Sequence, residues 1–439
     1  MSARTLAWLI LMSFCVVLFL RVQSVFQETT RRNTAREQAT YEQIREMIAS
    51  GYVDPVDEKE LFYGSLKGMA AALNDPYSAF LPPKNAQRAS DETRGSFAGV
   101  GIEISSDENK RMLVLTPLIG SPAIEAGILP GDVILKVDGI SLEGMTNDEG
   151  SELIRGAPET SVHLTVERKG EAKALEFDLK RREIKKPSIE ESYMLEAPST
   201  ANARIPDGGP KIGYIALTAF QANSAKELSA ALADLEKQGL QGLILDLRDN
   251  HGGLLDQAVE ISDMFLKDGT IVTLRGRNAA PEVTKVYLAH PSDEDKTYPV
   301  VLLVNHTSAS ASEIVAGCLK DRGRAYLVGE KTFGKALVQT IIPVDLGPDG
   351  QGALKITTAR YLPPGGENFQ GKGIDPNYEV PFTNEQVNKL LQLRRDRHIA
   401  RNQAAAGKPV TPPPDTPDTF YDLQLEKAVE VLTASINKK

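Results

Sequence analysis

The run Val300-Val-Leu-Leu-Val304, followed at once by Asn305-His-Thr-Ser-Ala-Ser-Ala-Ser-Glu313, decides how the rest of the chain is read. An unbroken apolar run of this kind suits a strand buried on both faces and central in its sheet. The polar stretch after it leads into a helix from Ala311 to about Leu319. A hydroxyl at such a junction has backbone N–H groups and the positive end of a helix beside it, which suits an oxyanion site. The plainer reading of the same serines is that they merely cap that helix.

Outward from this junction, strand and helix alternate. Ile212 to Leu217 reads as a strand, and Ser224-Ala-Lys-Glu227 as a capping box opening a helix through Leu228, Leu232 and Leu235. Leu243-Ile-Leu-Asp-Leu247 is a second strand, followed by a helix across Ala258 to Leu266. The alternation implies a sheet with parallel portions and crossover helices. Gly252-Gly253, just past Asp246-Leu-Arg248, is a second place where a backbone amide can approach a substrate; the plainer reading is an ordinary turn.

Upstream, the texture from Phe97 is β-rich, with runs at Val100 to Ile104, Met112 to Leu115 and Val133 to Val137, a short helix at 147–155, and a closing hairpin of Ser161 to Val166 with Ala174 to Leu179. Residues 25–96 read as helical. Tyr41, Ile44, Met47 and Ile48 fall at helical spacing, as do Phe62, Leu66, Met69 and Leu73, until Asp75-Pro76 and Pro82-Pro83 break the pattern. Residues 385–439 hold a charged helix, an Ala/Pro-rich linker from Ala404 to Pro417, and an amphipathic helix from Leu423 to Ile436. The fold class is therefore mixed α+β. Its parts are a helical N-terminal region (25–96), a β-rich domain (97–183), an α/β core with strand–helix crossovers (184–384) and a helical C-terminal tail (385–439).

The first 24 residues stand apart. Arg4 precedes fifteen mostly apolar residues, Leu6 to Leu20, and Arg21 closes them. That length suits a secretory signal and is short for a membrane span of about 20 residues. Val22-Gln23-Ser24 offers small residues for cleavage; an uncleaved inner-membrane anchor at residues 6–20 is the alternative. The expectation is an exported protein of the periplasm or cell envelope.

Composition excludes several classes. Of 439 residues 41% are hydrophobic and 25% charged, close to a soluble globular average, so a collagen-like or wholly disordered chain is ruled out. Lys plus Arg total 50 against 59 acidic residues, a net charge of -9, which offers no basic face for nucleic acid. Cys15 and Cys318 are too few for a disulfide framework or a structural zinc site.

A serine nucleophile needs a base. His163 alternates within a strand, and His290 and His398 lie in polar surroundings, whereas His251 and His306 are close in sequence to the candidate site. The other choice is a lysine kept neutral by burial, and Lys335 in Thr332-Phe-Gly-Lys-Ala336 has apolar neighbours.

At this point the chain resembles a family. Asn305-x-x-Ser-Ala-Ser-Ala-Ser-Glu-Ile314, Ala316-Gly317, Gly329-Glu-Lys-Thr-Phe-Gly-Lys335 and Val338-Gln339 resemble the C-terminal processing peptidases, or tail-specific proteases. So do Tyr52-Val-Asp-Pro55, Gly68-Met69, Leu73-x-Asp-Pro76, Leu245-Asp-Leu-Arg-x-Asn250 with Gly252-Gly-Leu-Leu255, Thr357-Thr-Ala-Arg-Tyr361 and Gly371-Lys-Gly-Ile-Asp-Pro376. The resemblance implies a serine endopeptidase with Ser310 as nucleophile, Lys335 as base and Gln339 orienting the lysine. It places the oxyanion donors at the amides of Gly253 and Ala311. His251 stands where proline is usual, and Ala336 where glycine often follows the lysine.

Residues 97–183 resemble the PDZ domain of these proteases. Gly99-Val100-Gly101 would hold a substrate's terminal carboxylate, and the strand from Gly101 would pair with the peptide. Ile102, Ile104 and Leu153 are pocket candidates, with a core role the alternative. Gly150 and Ser151 are smaller or more polar than the residues often facing that groove. The implied partners are proteins with accessible C-termini, with room for an adaptor lipoprotein and for self-association; no cofactor or metal is implied. The alternative is an inactive PDZ scaffold for envelope protein tails, against which the complete Ser/Lys/Gln set argues.

Overall fold

A computed structural model of the chain describes residues 34–195, 208–277, 285–291, 296–405 and 420–438. The leader at 1–24 lies outside the described residues, as does all but the start of the linker, whose Ala404 and Ala405 belong to the helix Asn384–Ala405.

The core is a six-stranded sheet. Its order is Ile189–Met194, Ile212–Leu217, Gly242–Asp246, Val300–Val304, Ala325–Gly329 and Tyr378–Glu379, parallel throughout except for the first pair. Val300–Val304 is interior, with each side chain at most 1% exposed, which favours folding by roughly 1.5–3 kcal/mol per residue. Successive residues serve opposite faces. Val300, Leu302 and Val304 join the cluster under the helices Ser224–Lys237, Leu255–Asp263 and Ala311–Asp321. Val301 and Leu303 join Ile244 and Tyr214 under Leu425, Val429 and Leu432 of the terminal helix Leu423–Ile436. With both faces covered, the strand is a continuous apolar run.

A second, five-stranded sheet is built around a long hairpin. Its central strand is Gln351–Leu362, which pairs with the other hairpin arm, Leu337–Asp345, and with Ala79–Leu81 and Thr270–Gly276. The N-terminal segment therefore contributes a strand as well as the helices at 34–51, Glu58–Ala71 and Pro83–Arg94. The helical pattern there is real, but Ile44, Met47, Met69 and Leu73 face outward, while Tyr63 and Ala70 face in.

The β-rich unit is a sheet of Ile102–Ser106, Met112–Pro117, Val133–Val137, Ser161–Glu167 and Leu175–Lys180, closed by the helix Asn147–Ile154. The short helix and the closing hairpin fall where the sequence indicates. Val100 does not begin the strand that follows it; it is a buried loop residue. The helix Asn384–Ala405 reaches this unit, where Asn402 donates to the Thr116 hydroxyl at 3.2 Å.

One local expectation fails. Ser224 and Glu227 form no capping box: the cap position is Asn223, without a side-chain bond. Ser224 Oγ instead accepts the Gln221 N–H and donates to Ser188, and Glu227 accepts the Ser188 N–H. The connection before the helix supplies nearer partners than its own first turn.

Candidate functional site

Ser310 is the N-cap of the helix Ala311–Asp321, at φ 57° and ψ −113°. This positive φ is a strained conformation for a residue with a side chain, one that persists only where the surroundings hold it. Two groups of contacts do so. Behind it, the Asn250 carbonyl accepts from the Ala309 N–H at 3.1 Å and from the Ser312 hydroxyl at 2.8 Å. Beside it lies Gly252, where a Cβ would sit 2.8 Å from both Ser310 Cβ and the Ala311 nitrogen. Gly253 is equally constrained: at φ 148° a Cβ would meet the Phe220 carbonyl at 2.1 Å. The N–H groups of Gly253 and Ala311 have no acceptor among the described residues.

The loop that carries these glycines is anchored by buried charges. Asp246 takes Arg248 at 2.7 Å and Arg394 at 2.6 Å, and Arg248 also takes Asp422 at 2.8 Å. Burial pushes the Asp246 carboxyl up, but the two guanidiniums outweigh it and hold it well below the usual range. Arg394 further contacts Asp249, whose carboxylate accepts from Asn305 and Thr307. Both C-terminal helices thus brace the loop from behind.

Glu313 organises the other side. Fully buried, its carboxylate accepts from the N–H groups of Ser310 (3.0 Å), Gly334 (2.7 Å) and Lys335 (2.8 Å) and from the Thr332 hydroxyl. Burial pushes this carboxyl up while the four donors pull it down. The Tyr361 hydroxyl adds a clamp, donating to the carbonyls of Ser310 and Lys335. The pattern Ser-x-x-Glu at 310–313 is visible in the sequence as a capping box. Its reach to residues 332–335 is not.

The half-buried Lys335 ammonium lies 4.6 Å from the centre of the Tyr77 ring. Its pKa is lowered, first by burial and then by Lys355, against the opposing pull of Asp75 and Glu313. Ala336 is fully buried in the core without a positive φ, so alanine fits there without strain. Among the described residues Lys335 Nζ has no hydrogen bond to Ser310 Oγ or to Gln339. The strand Leu337–Asp345 begins two residues after Lys335, and Gln339 within it donates to the Thr357 hydroxyl at 3.2 Å.

The histidines separate by environment. His251 is exposed, and His306 reaches only Glu330, at 3.8 Å. His163 bridges Asp178 and Glu176 on the sheet, and His290 meets Asp263. His398 differs: it lies between Glu103 and Glu190 at 3.2 and 3.4 Å, a surrounding invisible in its own helix.

In the β-rich unit, Gly101 has φ 75°, and a Cβ there would lie 2.3 Å from Ser121 Cβ. The N–H groups of Val100 and Gly101 have no acceptor among the described residues. Gly99 ends the strand Ser96–Gly99, and Ile102, Ile104 and Leu153 are partly buried against the sheet's core. Adding a Cβ at Gly150 would strike Met112 Cε at 2.3 Å, so helix and sheet pack closely there.

Comparison with known proteins places the chain. The model of peptidase family S41 matches residues 211–380, a PDZ-domain model residues 113–168, and the model of the activating protease CtpB N-terminal domain residues 19–84. A carboxy-terminal-processing protease of Bartonella bacilliformis is 36% identical over 417 residues, 92% of this chain and 90% of that one. The carboxy-terminal processing protease CtpB of Bacillus subtilis is 31% identical over 415 residues, 93% and 82% of the two chains. Among solved structures, an S41 protease of Bacteroides fragilis shares the fold, with a TM-score of 0.50 at 19% identity over 83% of this chain and 97% of that one.

Proposed function

The chain belongs to the carboxy-terminal processing proteases of peptidase family S41, a serine-type peptidase with a PDZ domain, and from that premise we propose how its site works. Ser310 Oγ attacks the scissile carbonyl while neutral Lys335 takes its proton. The N–H groups of Gly253 and Ala311 receive the oxyanion. The leaving amine takes the proton back from Lys335, and water activated by the same lysine hydrolyses the acyl-enzyme. The observation that carries this reading is the pair of unengaged N–H groups beside a serine held at a strained φ. A lysine with a lowered pKa on the facing loop supports it. Gln339 is engaged by Thr357 here, so the reading rests on the dyad alone.

Substrates are proteins presenting a free C-terminus to Gly99-Val100-Gly101, with the peptide paired along Ile102–Ser106 and side chains against Ile102, Ile104 and Leu153. Two unengaged amides in that loop support a carboxylate ligand. The enzyme is exported, as the apolar leader indicates. Cleavage of casein or a tail-tagged reporter by the wild type and not by Ser310→Ala is the result expected; equal cleavage by both refutes the mechanism, and no cleavage by either favours the scaffold reading. A periplasm-dependent reporter fused after Lys439 should be active, and activity only in the cytoplasm would overturn the export reading.

A further inference from the structure

The motif Leu73-x-Asp-Pro76 belongs to the N-terminal segment, far in sequence from Ser310, yet the turn it opens touches the lysine of the site. The Asp75 carboxylate accepts the Tyr77 N–H at 3.0 Å and the Ser78 hydroxyl at 2.6 Å. Ser78 Oγ in turn accepts the Thr357 N–H at 3.0 Å, which fixes the turn to the long strand Gln351–Leu362. Directly after the turn, Ala79–Leu81 pairs with Ala353–Lys355 of the same strand. These four interactions together hold Tyr77 in one place, and the half-buried ring faces Lys335 Nζ at 4.6 Å.

We propose that Tyr77, presented by the Asp75–Ser78 turn, is a positioning residue that seats the Lys335 side chain beside Ser310. The inference rests on the reading of Lys335 as the base. A lysine tip on four rotatable bonds needs a fixed surface if it is to reach the same point repeatedly, and a ring face supplies one that favours the ammonium electrostatically. The groups around Lys335 act in both directions: Tyr77, Asp75 and Glu313 favour the charged form, whereas burial and Lys355 disfavour it. Removing the ring takes away a contact that stabilises the ammonium. The lysine then loses its proton more readily, and the rising limb of the pH–activity curve moves to lower pH. At the same time the amine loses its seat, and the plateau rate falls.

The test is the pH profile of kcat/KM for the full chain and for Tyr77→Phe, Tyr77→Leu and Lys335→Ala, with thermal unfolding followed for each. Tyr77→Phe keeps the ring face and should keep both limb and plateau. Tyr77→Leu should lower the plateau roughly 10-fold to 100-fold and move the limb down by about half to one pH unit. A Tyr77→Leu protein that unfolds at the wild-type temperature with an unmoved limb overturns the proposal, whatever its plateau. So does a Tyr77→Phe protein as impaired as Tyr77→Leu. If Tyr77→Leu is too unstable to assay, Tyr77→Met, which keeps the bulk without the ring, is judged by the same limb. Lys335→Ala separates the two levels: if it is active, the base assignment fails and takes this inference with it. If it is dead while Tyr77→Leu behaves as wild type, only the seat is wrong.

Discussion

The backbone N–H groups of Ser310 and Lys335 converge on one atom, Oε2 of Glu313, at 3.0 and 2.8 Å. A helix N-terminus and a loop more than twenty residues downstream thus share a buried carboxylate oxygen, and their separation cannot change without breaking a charge-assisted hydrogen bond. The backbones of Ser310 and Lys335 are thereby held at a fixed spacing.

Replacing that carboxylate should therefore harm both rate and fold. In Glu313→Gln an amide NH2 takes the place of an oxygen that now accepts two donors, leaving donors facing each other in a dry site. Turnover should fall at least about 100-fold. Stability should fall by about 2–4 kcal/mol, the scale of buried donors left unpaired. Single-turnover cleavage together with urea unfolding measures both, and unchanged turnover would show that the shared oxygen plays no part in the chemistry.

If Lys335 is the base, activity rises with pH as its ammonium deprotonates, over a range below that of an ordinary lysine because burial and Lys355 lower its pKa. Lys335→Ala and Lys335→Arg should retain almost no activity. His251→Pro should retain most of it, since His251 is exposed and its N–H has no acceptor among the described residues for proline to remove. An active Lys335→Ala with an inactive His251→Pro would replace the dyad with a serine–histidine mechanism.

Amidating a substrate's C-terminus removes a charge-assisted contact worth roughly 1.5–3 kcal/mol, so cleavage should slow by an order of magnitude or more. Gly101→Ala should reproduce this loss even with free-acid tails, because its Cβ would lie 2.3 Å from Ser121 Cβ and force the loop to shift. Equal rates for acid and amide substrates would refute tail recognition.

His398 ties the helix Asn384–Ala405 to the PDZ strand through Glu103 and to the core through Glu190. Hydrogen bonds that its ring donates to these two carboxylates raise its pKa from 6.5 to about 9 against burial. A raised folded-state value means that the contribution to stability is complete below about pH 6.5 and is lost as pH climbs through about 9. Wild-type melting temperature should decline across that window by the equivalent of up to about 3 kcal/mol, and His398→Ala should flatten the decline. Calorimetry at several pH values decides, and parallel curves for the two proteins would exclude the contact.

Much of this molecule is legible in the sequence because local periodicity suffices for it. Val300–Val304, the helix starting at Ala311 and the terminal helix Leu423–Ile436 fall where the apolar pattern puts them, since each element buries a contiguous set of its own residues. The order of short motifs places the chain in its family for the same reason: each motif is complete within a few residues.

The tertiary structure alone decided which partners the polar groups take. Glu313 looks like a capping residue until residues 332–335 fold against it, and Ser224 looks like a cap until Ser188 and Gln221 claim its hydroxyl. His398 has a polar surrounding in sequence and two carboxylates in space, one from the PDZ strand and one from the core. Gln339 takes Thr357 as its partner because the hairpin draws it into an extended strand, while Tyr77 arrives beside Lys335 from the other end of the chain. Hydrogen bonds and ring contacts are satisfied by whatever donor or acceptor the packing brings within about 3–5 Å, and that distance is set by the assembly of the sheets.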